Sequence, residues 1–440
     1  MDDEVRELNL TIDLCLRIGE VLLSSGAGAA DVTATMQSVA HHLGLRRPDT
    51  DVTFTGLSMS YQRSPEEPPI VLLRQVKQRD IDYDILTRVD HLVRDVLAGR
   101  LDLFLARSQM ATIVSVPRSR RRWAITLGWG VMCAAVAFFL GGNVVVAGTA
   151  FLAAAAIDRL QLLMSRRRLP TFYLQVAGGF VATLFAVGVA STDLPADPSL
   201  VVTANIIMLL AGIGFMGAIQ DALTGFYVTS GARIIEAMMA TAGIIAGVSG
   251  GLSVGALFGV SVGRFDPGRM LDVEGLAIVV VGSAVAAAAF AFSSYAPRRS
   301  LAPIALIASG ATAIHALVIA QDIGRTWAAG LAAFFVGLVA YAVAGRVRVP
   351  PLVVAVSAIV PLLPGLSIYR GLSLLADGGS GTSMGLLAMI TAASVAIALA
   401  SGVILGEYVA QPLKKEARRL EDRLAGPRLV GPLRAKGRPR

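Results

Sequence analysis

The chain has 440 residues, of which 55% are hydrophobic and only 16% are charged, and its mean hydropathy is +0.66. This composition is too apolar for a soluble globular protein and indicates a polytopic membrane protein. The net charge is +8, but the basic residues cluster between apolar runs and in the tail, which favours loops at an anionic membrane surface over nucleic-acid binding. The two cysteines, Cys15 and Cys133, indicate no disulfide framework.

Residues 1–117 are amphipathic and rich in charge, unlike the rest of the chain. Apolar residues at helical spacing predict one helix that ends before Gly26, a second that ends near Leu43 and a third around Leu86–Val96. Two segments with alternating apolar and polar residues, DVTFTGLSMSYQ and PIVLLRQV, flank the turn sequence SPEEPP and predict a hairpin. We therefore expect a small α+β domain.

Ten apolar runs between Trp123 and Val409 are long enough to cross a hydrocarbon core of about 30 Å. They lie near residues 123–140, 143–158, 172–191, 199–219, 234–262, 274–292, 301–320, 326–344, 350–369 and 384–409. Basic clusters such as RSRRR, SRRR and GRVR fall on one side of these runs, together with the tail KKEARRLEDR. The positive-inside rule therefore places both termini and the α+β domain in the cytoplasm. The predicted fold class is a mainly α-helical polytopic membrane protein.

The two halves of the apolar region resemble each other. SLVVTANIIMLLAGIGFMGAI of span four aligns with PPLVVAVSAIVPLLPGLSIYRGL of span nine, and spans two, three and five align with spans seven, eight and ten. Because each half has five spans, the copies insert with opposite orientation, as in many secondary transporters. We predict two inverted five-helix repeats, residues 118–265 and 266–410, and a basic disordered tail, residues 411–440, that contacts lipid headgroups.

A polar stretch, GFMGAIQDALTGFYVTSGARIIE, lies between spans four and five. It follows LLAG, and the matching part of span nine contains Pro361, Pro364 and Gly365, which interrupt a helix. Interrupted spans present helix N-termini to anions and free carbonyl groups to cations, and an amino-acid zwitterion offers both charges. The alternative is a proline kink that serves packing alone.

Ionisable side chains in or beside the spans are candidate site residues, because their desolvation is costly. Asp221 is expected to hold a substrate ammonium or a proton and Arg233 a substrate carboxylate, unless both are solvated in a cytoplasmic loop. Glu236 and His315 are candidates for proton coupling, with a structural hydrogen bond as the alternative for His315. The other candidate substrate contacts are Asn205, Thr224, Thr229, Ser230, Tyr369 and Arg370, and weaker ones, whose hydroxyls commonly bond their own backbone, are Thr241, Ser357 and Thr391.

No cofactor or metal is expected, because the sequence contains no Walker loop, dinucleotide-binding glycine motif or zinc ligand set. ATP-driven transport by this chain alone is therefore not expected.

Three stretches together resemble the bacterial threonine/serine exporter family: LRIGEVLLSSGAGAADVTATMQSVAHHLGL, GFMGAIQDALTGFYVTSGARIIEA and IVPLLPGLSIYRGL. The chain is similar to the longer family module up to about Val262 and to the shorter five-span module from about Leu276. The resemblance implies export of L-threonine and L-serine, driven by the proton-motive force, across an inner or plasma membrane. The PxLPG element is intact at Pro361–Gly365, whereas LLAG at Leu209–Gly212 lacks the prolines of many relatives.

We therefore predict a secondary transporter, not an enzyme, that works by alternating access. Asp221 and Arg233 would face the break at Pro361–Tyr369, and His315 or Glu236 would take part in coupling. Its partners are then the amino acids, protons and membrane lipid, with a homo-oligomer left open.

Three alternatives to this prediction remain open. Within transport, the exported molecule is another small carboxylate such as succinate, with Arg370 as a second cation. From other classes, the α+β domain is a hydrolase, although it shows no nucleophile motif, or a sensor that gates the bundle.

Overall fold

The computed structural model describes residues 2–76, 81–116, 120–192, 194–209, 212–260, 275–377 and 381–424. Within these ranges the chain is mainly helical, with a small sheet close to the N-terminus. We describe it as an N-terminal domain (residues 2–116) followed by an apolar helical bundle (residues 120–424).

Four helices and three strands form the N-terminal domain: α1 (Asp2–Ser24), α2 (Ala29–His42), β1 (Asp49–Val52), β2 (Gly56–Tyr61), β3 (Ile70–Gln75), α3 (Tyr83–Leu97) and α4 (Leu103–Ser115). The three predicted helices are confirmed. The strands form an antiparallel sheet in the order β1-β2-β3. DVTFTGLSMSYQ was predicted as one strand and forms two, because the chain turns where the Thr53 amide and hydroxyl both donate to the Gly56 carbonyl.

Helix α4 is not apparent from the sequence pattern. Its buried residues Leu103, Ala106 and Met110 have helical spacing, but Phe104 and Leu105 beside them are exposed apolar residues. The apolar positions therefore do not mark one face.

Helices α1 and α2 pack on the sheet and enclose the core of the N-terminal domain. Alternate residues of β2, Leu57 and Met59, are buried together with Ile18 of α1 and Met36 of α2. This core fixes the short connection between α1 and α2, residues 25–28, which reaches the helical bundle.

The bundle contains twelve described helices: α5 (Arg122–Phe139), α6 (Val144–Arg166), α7 (Thr171–Ala190), α8 (Pro198–Leu209), α9 (Gly212–Leu223), α10 (Tyr227–Leu257), α11 (Leu276–Ser293), α12 (Arg298–Ala320), α13 (Arg325–Val347), α14 (Pro351–Ile359), α15 (Gly365–Asp377) and α16 (Thr382–Leu424). Eight of the described helices are long and apolar enough to cross a membrane, judged by length and composition. The pairs α8–α9 and α14–α15, bent by 42° and 50°, bring the number to ten if each pair is one span. The chain is a polytopic helical membrane protein.

The two halves of the bundle, α5–α10 and α11–α16, pack in the same way. In each half the third helix packs most extensively on the last, α7 on α10 and α13 on α16. The halves meet where α5 packs on α11, where α9 packs on α16 and where α15 packs on α10. Equivalent helices thus make equivalent contacts, both within and between the halves.

Glycine permits the closest of these contacts. A Cβ added to Gly247 of α10 would lie 2.1 Å from the Val176 carbonyl oxygen, and one added to Gly337 of α13 would lie 2.3 Å from the Val403 carbonyl oxygen. Such small residues let helix backbones approach where no hydrophobic force drives association.

Two boundaries differ from the sequence prediction. The polar stretch 220–233 is mostly helical, because α9 continues to Leu223 and α10 already begins at Tyr227. Helix α16 continues to Leu424, so the first part of the predicted disordered tail is helical, while residues 425–440 lie outside the described ranges.

Candidate transport site

Both bent spans are interrupted where the sequence predicts. Helix α14 ends at Ile359, a single 3-10 turn follows at Val360–Leu362, and Leu363 is extended before α15 begins at Gly365. Pro361 and Pro364 have no backbone N–H, so a continuous helix would lose hydrogen bonds here. The first break lies between Leu209 and Gly212, and residues 210–211 are outside the described ranges.

The two breaks line one cavity of about 240 Å³, which we call the central cavity. Met208, Gly212 and Ile213 contribute from the first break, and residues 360–367 contribute from the second. Helices α5, α11, α12 and α16 complete the wall. The volume is below the roughly 300–1,000 Å³ of sites for drug-sized ligands, and it suits a smaller molecule.

A few polar side chains enter this largely apolar wall: Thr312, His315, Arg325, Ser367 and Thr391. Thr312 is 3% exposed, and its hydroxyl has no hydrogen-bond partner among the described residues. Buried hydroxyl groups are normally satisfied, so this one is available to a ligand. Arg325 is exposed and marks a point where the cavity meets the surface.

Backbone groups at the second break add to this polarity. Gly365, Leu366 and Ser367 line the cavity in the first turn of α15, where N–H groups have no acceptor within the helix. The N-terminal end of a helix carries a partial positive charge and favours anions. The central cavity thus combines a helix N-terminus, one guanidinium, one imidazole and one free hydroxyl.

Asp221 and Arg233 form an ion pair away from the central cavity. The Arg233 Nε lies 3.2 Å from the Asp221 Oδ2, and the two side chains are 10% and 1% exposed. The Ala29 amide donates to Asp221 Oδ1 at 2.8 Å, and Arg233 Nη2 donates to the Ala27 carbonyl at 3.0 Å. The pair therefore binds the connection between α1 and α2 to the bundle, and the prediction that its charges are solvated in a loop is wrong.

The packing around the ion pair leaves no room for larger residues. A Cβ at Gly217 would lie 2.8 Å from Arg233 Nη1, so glycine lets the guanidinium lie across α9. Thr229, one turn before Arg233, donates its hydroxyl to the Val52 carbonyl at 3.2 Å. The start of α10 thus contacts the N-terminal domain at two places.

Two more carboxylates lie near this ion pair. A Cβ added to Gly28 would lie 3.5 Å from Asp221 Oδ1 and 3.9 Å from Asp31 Oδ2, so the two carboxylates lie on the same side of Gly28. Glu407 of α16 is close enough to interact with Asp31. The Asp31 side chain is partly accessible to solvent. Partial desolvation, the larger cause, and the negative charge of Asp221 raise its pKa above the usual value. Negative charge therefore accumulates where the N-terminal domain meets the bundle.

The structure separates the predicted site residues into groups. Pro361, Pro364, Gly365 and His315 line the central cavity. Asp221, Thr229 and Arg233 instead contact the N-terminal domain, so Asp221 and Arg233 do not face the break at Pro361–Tyr369.

Of the weaker candidates, Thr391 also lines the cavity. The remaining predicted residues lie elsewhere. Asn205, Ser230 and Tyr369 are buried outside the cavity lining, and Thr224, Glu236 and Arg370 are exposed. Asn205 Nδ2 and the hydroxyls of Thr224, Thr241 and Thr391 donate to carbonyls of their own helices, as such groups commonly do. Substrate binding by these residues stays a prediction.

Thr312 and Arg325 were missed by sequence reasoning. Thr312 lies one turn before His315 in GATAIHAL, so the helical spacing already placed both on one face. Arg325 is the single basic residue of the connection QDIGR. A lone arginine on the side of the membrane that is poor in basic residues was the sequence feature that could have identified it.

Two family models match the chain. Residues 13–255 match a model described as a putative threonine/serine exporter, and residues 279–409 match a model described as a threonine/serine exporter. The boundary between the matches falls between the two halves of the bundle. No solved structure matches the chain.

Similar proteins are known in several bacteria. A probable threonine/serine exporter of Mycobacterium tuberculosis is 35% identical over 437 residues, which cover 97% of this chain and 81% of that protein. The threonine/serine exporter of Corynebacterium glutamicum is 33% identical, covering 92% of this chain and 84% of that protein. The probable succinate transporter subunit YjjP of Escherichia coli is 24% identical, covering 56% of this chain and 95% of that protein. The chain therefore belongs to the threonine/serine exporter family, whose members are transporters and not enzymes.

Proposed function

We propose that the chain exports L-threonine and L-serine across the cytoplasmic membrane and binds them in the central cavity. The observation that carries this proposal is the buried, unpartnered Thr312 hydroxyl in a cavity formed by two interrupted spans. Threonine and serine differ from alanine and valine in having a hydroxyl group. A site that offers a hydrogen bond to it discriminates against analogues that lack it.

Each polar group of the amino acid finds a counterpart in the cavity. The carboxylate faces the N-terminal amides of α15 and the Arg325 guanidinium. The ammonium faces carbonyl groups at the break, where Pro361 and Pro364 provide no N–H to the carbonyls of the preceding turn. The hydroxyl bonds Thr312.

The position of the residues that line the cavity supports an outward-facing state. Phe139, Ile319 and Arg325 line the cavity and stand at helix ends remote from the basic clusters. With the basic clusters and both termini in the cytoplasm, the cavity opens outward. The N-terminal domain then closes the cytoplasmic side through Asp221 and Arg233.

Alternating access follows from the matched halves, taken as inverted repeats. The half-helices α9 and α15 pack against the opposite half, on α16 and α10, so rocking of one half changes both breaks together. Loading from the cytoplasm requires the bonds of Asp221 to Ala29 and of Arg233 to Ala27 to open. Asp221 and Arg233 are then free to meet the incoming substrate.

Proton coupling involves groups on both sides of the substrate. His315 lines the cavity, and an imidazole is able to accept and release a proton. Asp221 lies at the cytoplasmic closure beside Asp31, so protonation there changes the charge that holds the closure together. The proton-motive force is thus the proposed driving force.

Reconstitution of the full chain tests this proposal. Liposomes loaded with labelled threonine, serine, alanine or succinate should release threonine and serine fastest, and a pH gradient should accelerate that release. Asp221→Asn combined with Arg233→Ala should abolish release without loss of protein from the membrane. Equal release of alanine, or wild-type release by the double variant, would contradict the proposal.

Succinate is the second candidate substrate. The name of the Escherichia coli relative suggests it, and Arg325 with a protonated His315 offers two cations in one cavity. Arg370, the second cation expected from the sequence, is exposed and does not line the cavity. Faster release of succinate than of threonine would favour this alternative.

A further inference from the structure

A groove on the outside of the bundle begins at three arginines. It lies between α5, α11 and α12 and encloses about 790 Å³. Arg120, Arg121 and Arg298 line one end. The rest of the wall is apolar and includes Trp123, Leu127, Gly128, Val131, Ala288 and Leu301. We call this feature the arginine groove.

Two of these arginines present positive charge that has no counter-ion among the described residues. Arg121 and Arg298 are exposed and have no ion pair or hydrogen bond among the described residues. Arg120 donates to the Phe292 and Ala296 carbonyls and stacks on the Phe292 ring at 4.3 Å, so it is held rigidly at the groove mouth.

The carboxylates closest to these arginines have other roles. Asp82 and Asp84 are both close enough to attract the Arg120 guanidinium electrostatically. Asp82, however, accepts hydrogen bonds from the first amides of α3, and Asp84 bonds Arg88 at 2.7 Å. These two carboxylates face Arg120, so Arg121 and Arg298 are the cations that an external anion would meet at the groove mouth.

The length of the groove matches one leaflet of a membrane. From Arg121 to Val131 the helix rises about 15 Å, which is half of a hydrocarbon core of about 30 Å. A second apolar groove of about 520 Å³ continues from Val131 and Val285 towards Phe138. The arginine groove thus runs from the bundle end with the N-terminal domain to the middle of the membrane.

Small residues make this surface concave. Gly128, Ala284 and Ala288 line the groove, so its floor is lower than the neighbouring helix ridges. Apolar walls at membrane depth offer water no hydrogen bonds, so acyl chains fill such a groove more favourably than water does. An occupant with an anionic head and apolar chains satisfies both ends of the groove.

We infer that the arginine groove binds an anionic phospholipid of the cytoplasmic leaflet, with its phosphate between Arg121 and Arg298 and an acyl chain along Gly128 to Val131. Guanidinium groups bind phosphate through two parallel hydrogen bonds. Basic pockets between helices at this membrane face are typical sites for such headgroups. Because α5 and α11 belong to different halves, the lipid bridges the interface across which the halves move. This inference does not depend on which molecule is transported.

Native mass spectrometry of the full chain in detergent tests the inference. Dioleoylphosphatidylglycerol and dioleoylphosphatidylcholine are added separately, and the bound lipid is counted. We expect at least tenfold tighter retention of phosphatidylglycerol. Arg121→Gln with Arg298→Gln should remove that preference, and Ala288→Leu should weaken retention of both lipids by filling the groove.

The matched control is Arg166→Gln with Arg167→Gln, two exposed arginines at the C-terminal end of α6 that do not line the groove. These substitutions remove the same charge and should leave phosphatidylglycerol binding as in the wild type. An equal loss in the control and groove variants would overturn the inference, as would equal binding of the two lipids by the wild type. Unchanged binding in the Arg121 and Arg298 double variant would also overturn it.

Discussion

At the scale of single residues, Thr312 lines the central cavity with a buried hydroxyl that has no hydrogen-bond partner among the described residues. Thr183, which is equally buried, shows the usual arrangement, because its hydroxyl donates to the Gly179 carbonyl at 2.9 Å. The difference between these two threonines is that only Thr312 lines the central cavity. It therefore gives a direct test of substrate contact.

Thr312→Val should weaken binding of threonine and serine roughly five- to tenfold, because one neutral hydrogen bond contributes about 1 kcal/mol. Binding of valine and alanine should not fall. Transport competition in liposomes measures both effects. Thr183→Val is the control and should leave the order of substrates unchanged. Loss of all substrates alike in Thr312→Val would indicate a structural role instead.

At the scale of elements, the closest helix pairs depend on glycine in both halves. Gly247 and Gly337 occupy equivalent helix pairs, α7 with α10 and α13 with α16. Each faces a backbone carbonyl of its partner helix, which cannot rotate away as a side chain can. The interrupted pairs α8–α9 and α14–α15 pack beside these closely packed pairs.

Gly247→Ala should destabilise the protein by about 1–3 kcal/mol, the usual effect of forcing extra volume into a packed interface. Gly337→Ala should have a similar effect, because its added Cβ meets a carbonyl at a similar distance. Thermal unfolding in detergent measures both. In Gly188→Ala, on α7, the added Cβ meets nothing within 4 Å, and this control should not destabilise the protein. Wild-type stability of Gly247→Ala would show that the helices separate freely.

At the scale of the whole molecule, the N-terminal domain is fastened to both halves of the bundle. The connection between α1 and α2 binds Asp221 and Arg233 of the first half. On the second half, the Tyr83 amide donates to the Ser294 carbonyl and the Tyr83 ring packs edge-on to Phe290. The domain therefore contacts each half, an arrangement that agrees with a gate better than with a separate hydrolase.

Docking of this domain should depend on pH through Asp31. Its pKa is raised in the docked state by crowding and by Asp221, so the docked state binds the proton more tightly than the undocked state. Docking should be strongest below the ordinary Asp pKa of about 3.9 and weaken as the pH rises through the raised value. Two further charged groups face this site: Glu407 interacts with Asp31, and Arg233 pairs with Asp221.

Hydrogen exchange of residues 27–31, corrected for the intrinsic pH dependence, measures this docking. Exchange should quicken with rising pH in the wild type, and Asp31→Asn should show slower exchange with less dependence on pH. Asp51→Asn, an exposed site in the same domain, should behave as the wild type. An unchanged pH dependence in Asp31→Asn would exclude this role for Asp31.

The sequence by itself determined the apolar spans, the interruption at Pro361–Gly365 and three of the four helices of the N-terminal domain. These features depend on local composition, on the missing N–H of proline and on helical spacing, all of which are written in neighbouring residues. The repeated sequence pattern likewise predicted that the two halves have similar structures, and equivalent helices of the two halves make equivalent packing contacts.

Only the tertiary structure decided what Asp221 and Arg233 contact. Their partners Ala29 and Ala27 are 192 and 206 residues away along the chain, and no local pattern specifies such a pairing. A charge beside a span predicts that some partner exists, because desolvation is costly, but packing selects which one. For the same reason, Thr312 became a candidate only when distant helices closed a cavity around its hydroxyl.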